Sequence, residues 1–167
     1  VAIQVTIIKF FKKVYFTTNY YNKSLQSKVP TQVYFSPNSF LLSLISPYSK
    51  ESFKIGEINP NEFWLENKKK KISRHHNFLW LSLINRKTDG KNIQKIIYLW
   101  MLKYSSFKKH VWETSTLSTR IISWIHNIDI IINNGTFEFK KDFFQTIVLQ
   151  CNHLKKNIRF EKDPLKK

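Results

Sequence analysis

Apolar residues recur along most of this chain at the spacing of one face of an α-helix. The first such stripe comprises Ile7, Phe10, Phe11, Val14 and Tyr15. Its spacing of i, i+3, i+4, i+7 and i+8 predicts a helix over about residues 3–21. The same periodicity predicts back-to-back helices over about residues 74–86, 91–105, 115–133 and 139–160. Because the connections are short, about 4–9 residues, consecutive helices are expected to be antiparallel neighbours.

The stretch between the first helix and these four is less regular. Pro47 and Pro60 interrupt it, and it ends close to the lysine run Lys68–Lys71. We therefore predict an N-terminal accessory segment of mixed helix and loop over residues 1–72. A helical body is predicted over residues 73–167.

Turn-forming residues are scarce, which bears on the fold class. Three glycines and five prolines in 167 residues provide few tight turns, whereas a β-sandwich or barrel needs a turn signal about every 8–12 residues. The chain is therefore predicted to be all-α. Helical periodicity leaves a bundle, a solenoid and a toroid open, and the absence of a repeat at fixed period disfavours the solenoid.

The charge is strongly unbalanced, with 28 lysines and arginines against 11 acidic residues and a net charge of +17. Such a field favours polyanionic partners: nucleic acid, anionic lipid or acidic polysaccharide. The alternative is that the surplus lysine is solvated surface with no dedicated partner. Lys, Ile, Asn and Phe are all abundant while Ala and Gly are scarce, which is the composition expected of an AT-rich genome. The run Lys68–Lys71 carries the same two interpretations. A nucleic-acid partner is disfavoured because no helix-turn-helix, RNP-like or zinc-finger module is recognisable.

Several common kinds of site are missing from the sequence. Cys151 is the only cysteine, which leaves no intrachain disulfide and no cysteine-based zinc site. His75 and His76 have no second His or carboxylate four positions on, so no metal site is predicted and His76 is expected in the core. No Gly-rich phosphate loop, Ser/His/Asp order or paired-carboxylate motif occurs, and no cofactor is predicted.

Neither a membrane span nor a signal peptide is expected from the amino-terminal residues. Lys9, Lys12 and Lys13 break the apolar stretch, which is too short to cross a bilayer. It has no basic segment ahead of it and no small-residue cleavage site after it. The residues themselves therefore predict no particular compartment.

The most specific string in the chain is W-E-T-S-T-L-S-T-R-I-I-S-W-I at residues 112–125. It resembles the N-terminal signature of the heparinase II/III-like polysaccharide lyases. The positions that match in order and spacing are Trp112, Ser118, Arg120, Ile121, Trp124 and Ile125. Two positions depart from the signature, with Ser115 in place of the usual Tyr and Ser123 in place of the usual Asn.

Weaker matches on either side extend the resemblance to about residues 52–160. They lie in W-L-E-N at Trp64, in the aromatic segment 75–84, and at Gln150, Leu154 and Asn157. The resemblance implies a partial α/α-toroid of antiparallel helix pairs with a less regular N-terminal segment.

The resemblance also implies an activity, since these lyases cleave acidic, uronate-containing glycans by β-elimination. The substrate carboxylate is neutralised, a Tyr or His base removes the proton at C5, and the C4 oxygen leaves. The family's catalytic Asn-His dipeptide would lie beyond Asn157, where this sequence reads R-F-E-K-D-P-L-K-K and stops. The pair Asn152-His153 is therefore not equated with it.

We accordingly expect a fragment that is truncated at its C-terminus and inactive alone. Its implied partners are an acidic polysaccharide and the remainder of the same polypeptide, namely the rest of the toroid and a β-sandwich. A periplasmic or cell-envelope location is implied in the same way.

Four signature residues are expected to contact the glycan: Arg120, Trp112, Ser118 and Trp124. A guanidinium beside indole rings can bind a carboxylate or sulfate through two hydrogen bonds while an indole stacks on the sugar. The alternative is that Arg120 ties the start of its helix to a neighbouring helix and that the tryptophans belong to the core. No catalytic residue is assigned.

Two other functions fit the same sequence. A non-catalytic glycan-binding or assembly protein could keep the lyase scaffold, as the departures at Ser115 and Ser123 and the missing Asn-His dipeptide favour. A basic helical domain that binds nucleic acid is the second alternative, favoured by the net charge and the aromatic residues.

Overall fold

The structure, a computed structural model, describes residues 2–30, 59–64, 75–84, 90–133 and 135–158. Its α-helices are α1 (Ala2–Phe16), α2 (Asn19–Ser24), α3 (Pro60–Phe63), α4 (Gly90–Tyr104), α5 (Thr114–His126), α6 (Ile128–Ile132) and α7 (Phe137–Asn157). A short 3-10 helix spans Leu79–Leu83. These ranges contain no β-strand, so the predicted all-α class is confirmed for them, while the closure into a toroid stays a prediction.

Three long helices carry the core. Helix α4 packs on α3, α6 and α7, and α5 packs on the 3-10 helix, α6 and α7. The fully buried side chains that join them recur at helical spacing: Ile93, Ile96, Ile97 and Trp100 on α4, Leu117 and Trp124 on α5, and Phe143 on α7. Each such side chain contributes about 1.5–3 kcal/mol through its removal from water, which explains why the periodic segments fold as helices here.

Two of the long helices lie close to their predicted bounds. Helix α4 begins at Gly90 and ends at Tyr104, against the prediction of 91–105. Helix α7, predicted over 139–160, spans Phe137–Asn157. It begins earlier than predicted because the Thr136 side chain accepts a hydrogen bond from the backbone N–H of Phe139 at 3.2 Å.

The single helix predicted over residues 3–21 is wrong, because the chain turns between Phe16 and Asn19. Thr18 has an extended backbone and caps α2, accepting a hydrogen bond from the N–H of Tyr21 at 3.1 Å. Its hydroxyl also donates to the carbonyl of Tyr15 at 2.7 Å. A threonine that bonds to nearby backbone groups competes with the helix in this way.

The single helix predicted over residues 115–133 is also wrong, because it breaks at Asn127. The Asn127 side chain donates to the carbonyl of Ser123 at 2.8 Å, and its own N–H uses the same carbonyl at 3.1 Å. Its φ of −103° and ψ of 23° lie outside the helical region. The chain therefore resumes as a separate short helix, α6.

The single helix predicted over 74–86 is wrong where the chain is described: His75 and His76 are helical, the chain turns at Asn77 and Phe78, and the 3-10 helix follows. Phe78 has a φ of 59°, the left-handed region, which is strained for a bulky side chain. Its ring is fully buried and packs edge-on to Trp124 at 5.0 Å. Tertiary packing thus overrides the local helical pattern.

Other predictions fall on residues that the structure does not describe. They include most of the irregular stretch, the run Lys68–Lys71 and the boundary at residues 72–73. Among the helices that are described, none combines the length and the apolar character needed to cross a membrane.

Candidate functional site

Arg120 lies at the centre of the interface between α5 and α7. Its side chain is 0% exposed. Nε donates to Oε1 of Gln150 at 2.7 Å, and Nη1 donates to the carbonyl oxygens of His76 at 2.9 Å and Val111 at 3.0 Å. The guanidinium therefore joins α5 to α7, to the segment before the 3-10 helix and to the segment before α5.

Among the described residues, the groups that face the charge of Arg120 are indole rings. Cζ lies 4.5 Å from the ring centre of Trp100 and 5.9 Å from that of Trp124, distances at which a cation is attracted to an aromatic face. Burial lowers the pKa of Arg120 to about 9, which still leaves it charged at neutral pH. Nη2 has no hydrogen-bond partner within the described part of the chain.

His76 lies beside this cluster and is held as a neutral acceptor. Nε1 of Trp100 donates to Nδ1 of His76 at 2.9 Å, and the imidazole stacks on Trp64 at 5.2 Å. Burial, followed by the charge of Arg120, lowers the pKa of His76 to about 3. The prediction of a core histidine is confirmed by these contacts.

Ser123, at the position where the signature usually has Asn, fixes the strained residue. Its Oγ donates to the carbonyl of Phe78 at 2.6 Å, and both groups are buried. The same carbonyl accepts from the N–H of Leu81 at 3.0 Å. Ser123 thereby stabilises the positive φ of Phe78.

The four predicted glycan contacts do not form one surface in the described chain. Arg120 and Trp124 are 0% exposed and lie together in the core. Ser118 is partly exposed, and its hydroxyl donates to the carbonyl of Ser115 at 3.0 Å. Trp112 alone borders an open cleft. The contacts of Arg120 correspond to the structural alternative, while its contact with glycan stays a prediction.

An open cleft of about 260 Å³ lies where the end of α1, the segment before α5 and the end of α7 meet. Its lining comprises Lys12, Phe16, Phe107, Lys109, Trp112, Glu113, Thr114, His153 and Asn157. Trp112 is oriented by its Nε1, which donates to the carbonyl of Tyr104 at 2.9 Å. Phe16 and Phe107 supply a partly exposed apolar wall, whereas the ring of Trp112 is 2% exposed.

Cationic groups lie along the mouth of the cleft. Lys12 and Lys109 line it against one acidic residue, Glu113. Lys13 is close enough to Lys109 that hydrogen bonding to that side chain, and then its charge, lower the pKa of Lys13. The ammonium group of Lys13 thus adds positive charge beside Lys109.

The other wall of the cleft is a polar network around His153. The hydroxyl of Tyr21 lies 2.7 Å from Nδ1 of His153, and Nδ2 of Asn157 donates to that hydroxyl at 3.2 Å. The imidazole packs edge-on to Trp112 at 5.1 Å. Burial, then the charges of Arg120 and of a nearby lysine, lower the pKa of His153 to about 4, so the ring is neutral at pH 7.

Sequence reasoning missed the lysines and Phe107 of this cleft. They lie in segments far apart along the chain, and no local spacing marks them. Asn157 carried a signal, since it belongs to the weaker helix match that also contains Gln150. Trp112 carried the strongest one, as a matched position that lines the cleft, although its side chain is 2% exposed.

No group of three or more His, Cys, Asp or Glu side chains suited to a metal ion occurs in the described part of the chain. Comparison with known proteins adds no relative: no protein-family model, no curated protein and no solved structure matches this chain.

Proposed function

We propose that this chain is the N-terminal part of a heparinase II/III-like polysaccharide lyase and that it binds an acidic, uronate-containing glycan in the cleft beside Trp112. The observation that supports this proposal is the meeting of an apolar aromatic wall with ammonium groups at one open cleft. A uronate sugar has an apolar ring face and a carboxylate, and it needs both kinds of contact. The glycan-binding role thus moves from Arg120 and Trp124 to the surface next to them.

Lys12 and Lys109 have the chemistry to bind the sugar carboxylates. Ammonium groups near a surface attract carboxylates, and their own mutual repulsion falls when an anion lies between them. Phe16 and Phe107 offer apolar contact to the ring. The Nδ2 of Asn157 donates to Tyr21 and to the carbonyl of His153, so its Oδ1 is the atom that suits a sugar hydroxyl.

Arg120 acts in this proposal as a positioning residue. Its Nη1 donates to the carbonyl of Val111, which directly precedes Trp112 in the chain. The guanidinium therefore holds the segment that forms the aromatic wall, without contact with the glycan itself.

His153 serves binding and not proton abstraction. A general base is most effective when its pKa is near the working pH, and the pKa of His153 is about 4. Its Nδ1 is also engaged with Tyr21. The base of the elimination reaction is therefore proposed to come from the remainder of the polypeptide.

The test compares a double variant at the cleft with a matched double variant elsewhere. Lys12→Ala with Lys109→Ala is expected to weaken binding of a uronate tetrasaccharide about tenfold or more, equivalent to about 1.4 kcal/mol. Lys95→Ala with Lys141→Ala removes the same charge from exposed positions on α4 and α7 and is expected to change the affinity less than twofold. Isothermal titration at constant salt measures both.

A neutral tetrasaccharide of equal length and a short DNA duplex are titrated as comparison ligands. Weak binding of the neutral sugar supports recognition of the carboxylates. Equal losses for both double variants, or tighter binding of the duplex than of the uronate, contradict the proposal and favour attraction by net charge alone.

A further inference from the structure

Helix α1 presents an apolar stripe to solvent. We define the α1 stripe as Ile7, Phe10, Phe11 and Val14, whose side chains are 48%, 62%, 66% and 50% exposed. Their spacing of i, i+3, i+4 and i+7 places them on one face of the helix. Two adjacent phenylalanines exposed to this extent form a patch of the kind that marks an interaction surface.

The α1 stripe faces away from the rest of the described structure. Phe16, nine positions after Ile7 and therefore about 180° around the helix, is the residue that attaches α1. Its ring packs against Tyr21 at 4.6 Å, Phe107 at 5.0 Å and His153 at 5.4 Å. The cleft lies on that attached side, so the stripe and the cleft are separate surfaces.

The charges around α1 favour an anionic partner. The first 30 residues contain five lysines and no acidic residue. Lys12 and Lys13 lie on the side of α1 opposite the stripe, with Lys109 of the body close to Lys13. A second copy of the chain, which also carries a net charge of +17, would be repelled from this end of the molecule.

We propose that α1 lies in the surface of an anionic lipid bilayer, with the α1 stripe in the boundary between headgroups and acyl chains. An interfacial helix combines an apolar aromatic face with a lysine-bearing polar face, as α1 does. The acyl boundary takes up the phenyl rings, and anionic headgroups attract the lysines within a Debye length of the surface. An acidic glycan would satisfy the lysines but leave the phenyl rings in water.

The test uses the full chain and vesicles of phosphatidylcholine with or without phosphatidylglycerol. Sedimentation is expected to show binding to the anionic vesicles at least tenfold stronger than to the neutral ones. Phe10→Gln with Phe11→Gln is expected to lower the binding to anionic vesicles at least tenfold, because it removes apolar surface without changing charge. Tyr98→Gln with Leu102→Gln, two exposed apolar positions on α4, is the control and is expected to change binding less than twofold.

Three outcomes overturn the proposal. The first is that the original chain does not bind to the anionic vesicles. Equal binding by both double variants shows that net charge acts without the stripe. Self-association that is lost in Phe10→Gln with Phe11→Gln, with no vesicle binding by the original chain, assigns the stripe to a second copy. Unchanged circular dichroism of the variants shows that the helix remains folded. Glycan binding at the cleft is expected to be the same in Phe10→Gln with Phe11→Gln as in the original chain.

Discussion

The guanidinium of Arg120 shows how one side chain can organise several segments at once. Its three hydrogen bonds to protein reach Gln150 on α7 and the carbonyl groups of His76 and Val111. Buried carbonyl groups without donors cost free energy, so these two segments depend on Arg120 for their conformation. The contribution of Arg120 to the molecule is therefore structural first.

Arg120→Met is expected to lower the free energy of unfolding by roughly 3–5 kcal/mol, because it fills the volume but leaves three buried acceptors without their donor. Lys95→Met removes the same charge from an exposed position on α4 and is expected to change stability by less than about 0.5 kcal/mol. Urea unfolding followed by far-ultraviolet circular dichroism measures both. Equal stability of the two variants would contradict the structural role of Arg120 and would favour the alternative, in which Arg120 contacts the glycan.

His76 and His153 make the stability sensitive to mild acid. Their pKa values in the folded chain, about 3 and about 4, lie below the 6.5 of an unfolded histidine. Between pH 6.5 and these values the unfolded chain binds more protons than the folded one. The free energy of unfolding therefore keeps the full contribution of both histidines above about pH 6.5. It decreases as the pH is lowered below that value, by about 1.4 kcal/mol per pH unit for each histidine.

The measurement is the melting temperature between pH 7 and pH 5, a window above the usual range of carboxyl titration. We expect a steady decrease in the original chain and a shallower one in His153→Gln, which keeps an acceptor for Tyr21. His110→Gln, at an exposed position, is the control and is expected to keep the original slope. A flat profile would show that the two imidazoles are accessible to protons.

At the scale of elements, periodicity predicted where helices lie better than where they end. Helices α4 and α7 follow their apolar stripes closely. The breaks at Thr18 and Asn127 come from side-chain hydrogen bonds to the backbone, which an apolar pattern does not register. The left-handed Phe78 depends on Ser123, 45 positions later, and nothing in the local sequence marks it.

Ser123→Ala is expected to lower the free energy of unfolding by about 1–3 kcal/mol, because the carbonyl of Phe78 loses a buried donor and the positive φ loses its support. Ser118→Ala removes a hydroxyl that also donates to a carbonyl, but at a partly exposed site, and is expected to change stability by less than about 0.5 kcal/mol. Thermal melts of the two variants measure the difference in stability. Equal effects would mean that ring packing alone fixes Phe78.

At the scale of the molecule, the sequence predicted the helical class and the tryptophan that borders the cleft, but not the cleft itself. Its lining combines residues from α1, from the segment before α5 and from α7, and only tertiary packing brings them together. Of the predicted site residues, Arg120 and Trp124 are buried between helices, and their contact with a glycan stays a prediction. One helix carries buried as well as exposed positions, and a string of letters does not distinguish them.

The contact between Tyr21 and His153 has a consequence for the order in which the molecule assembles. The two side chains are 132 positions apart, and Lys156 binds the carbonyl of Ser24 across the same separation at 2.9 Å. At a synthesis rate of about 5–20 residues per second, roughly ten seconds pass between the synthesis of Tyr21 on α2 and that of His153 on α7. Trp100, Trp112 and Trp124 emerge during that interval, before any cleft can exist. The cleft therefore cannot form before α7 has been made, because His153 and Asn157 line it. A chain released before α7 would have its tryptophans but no site.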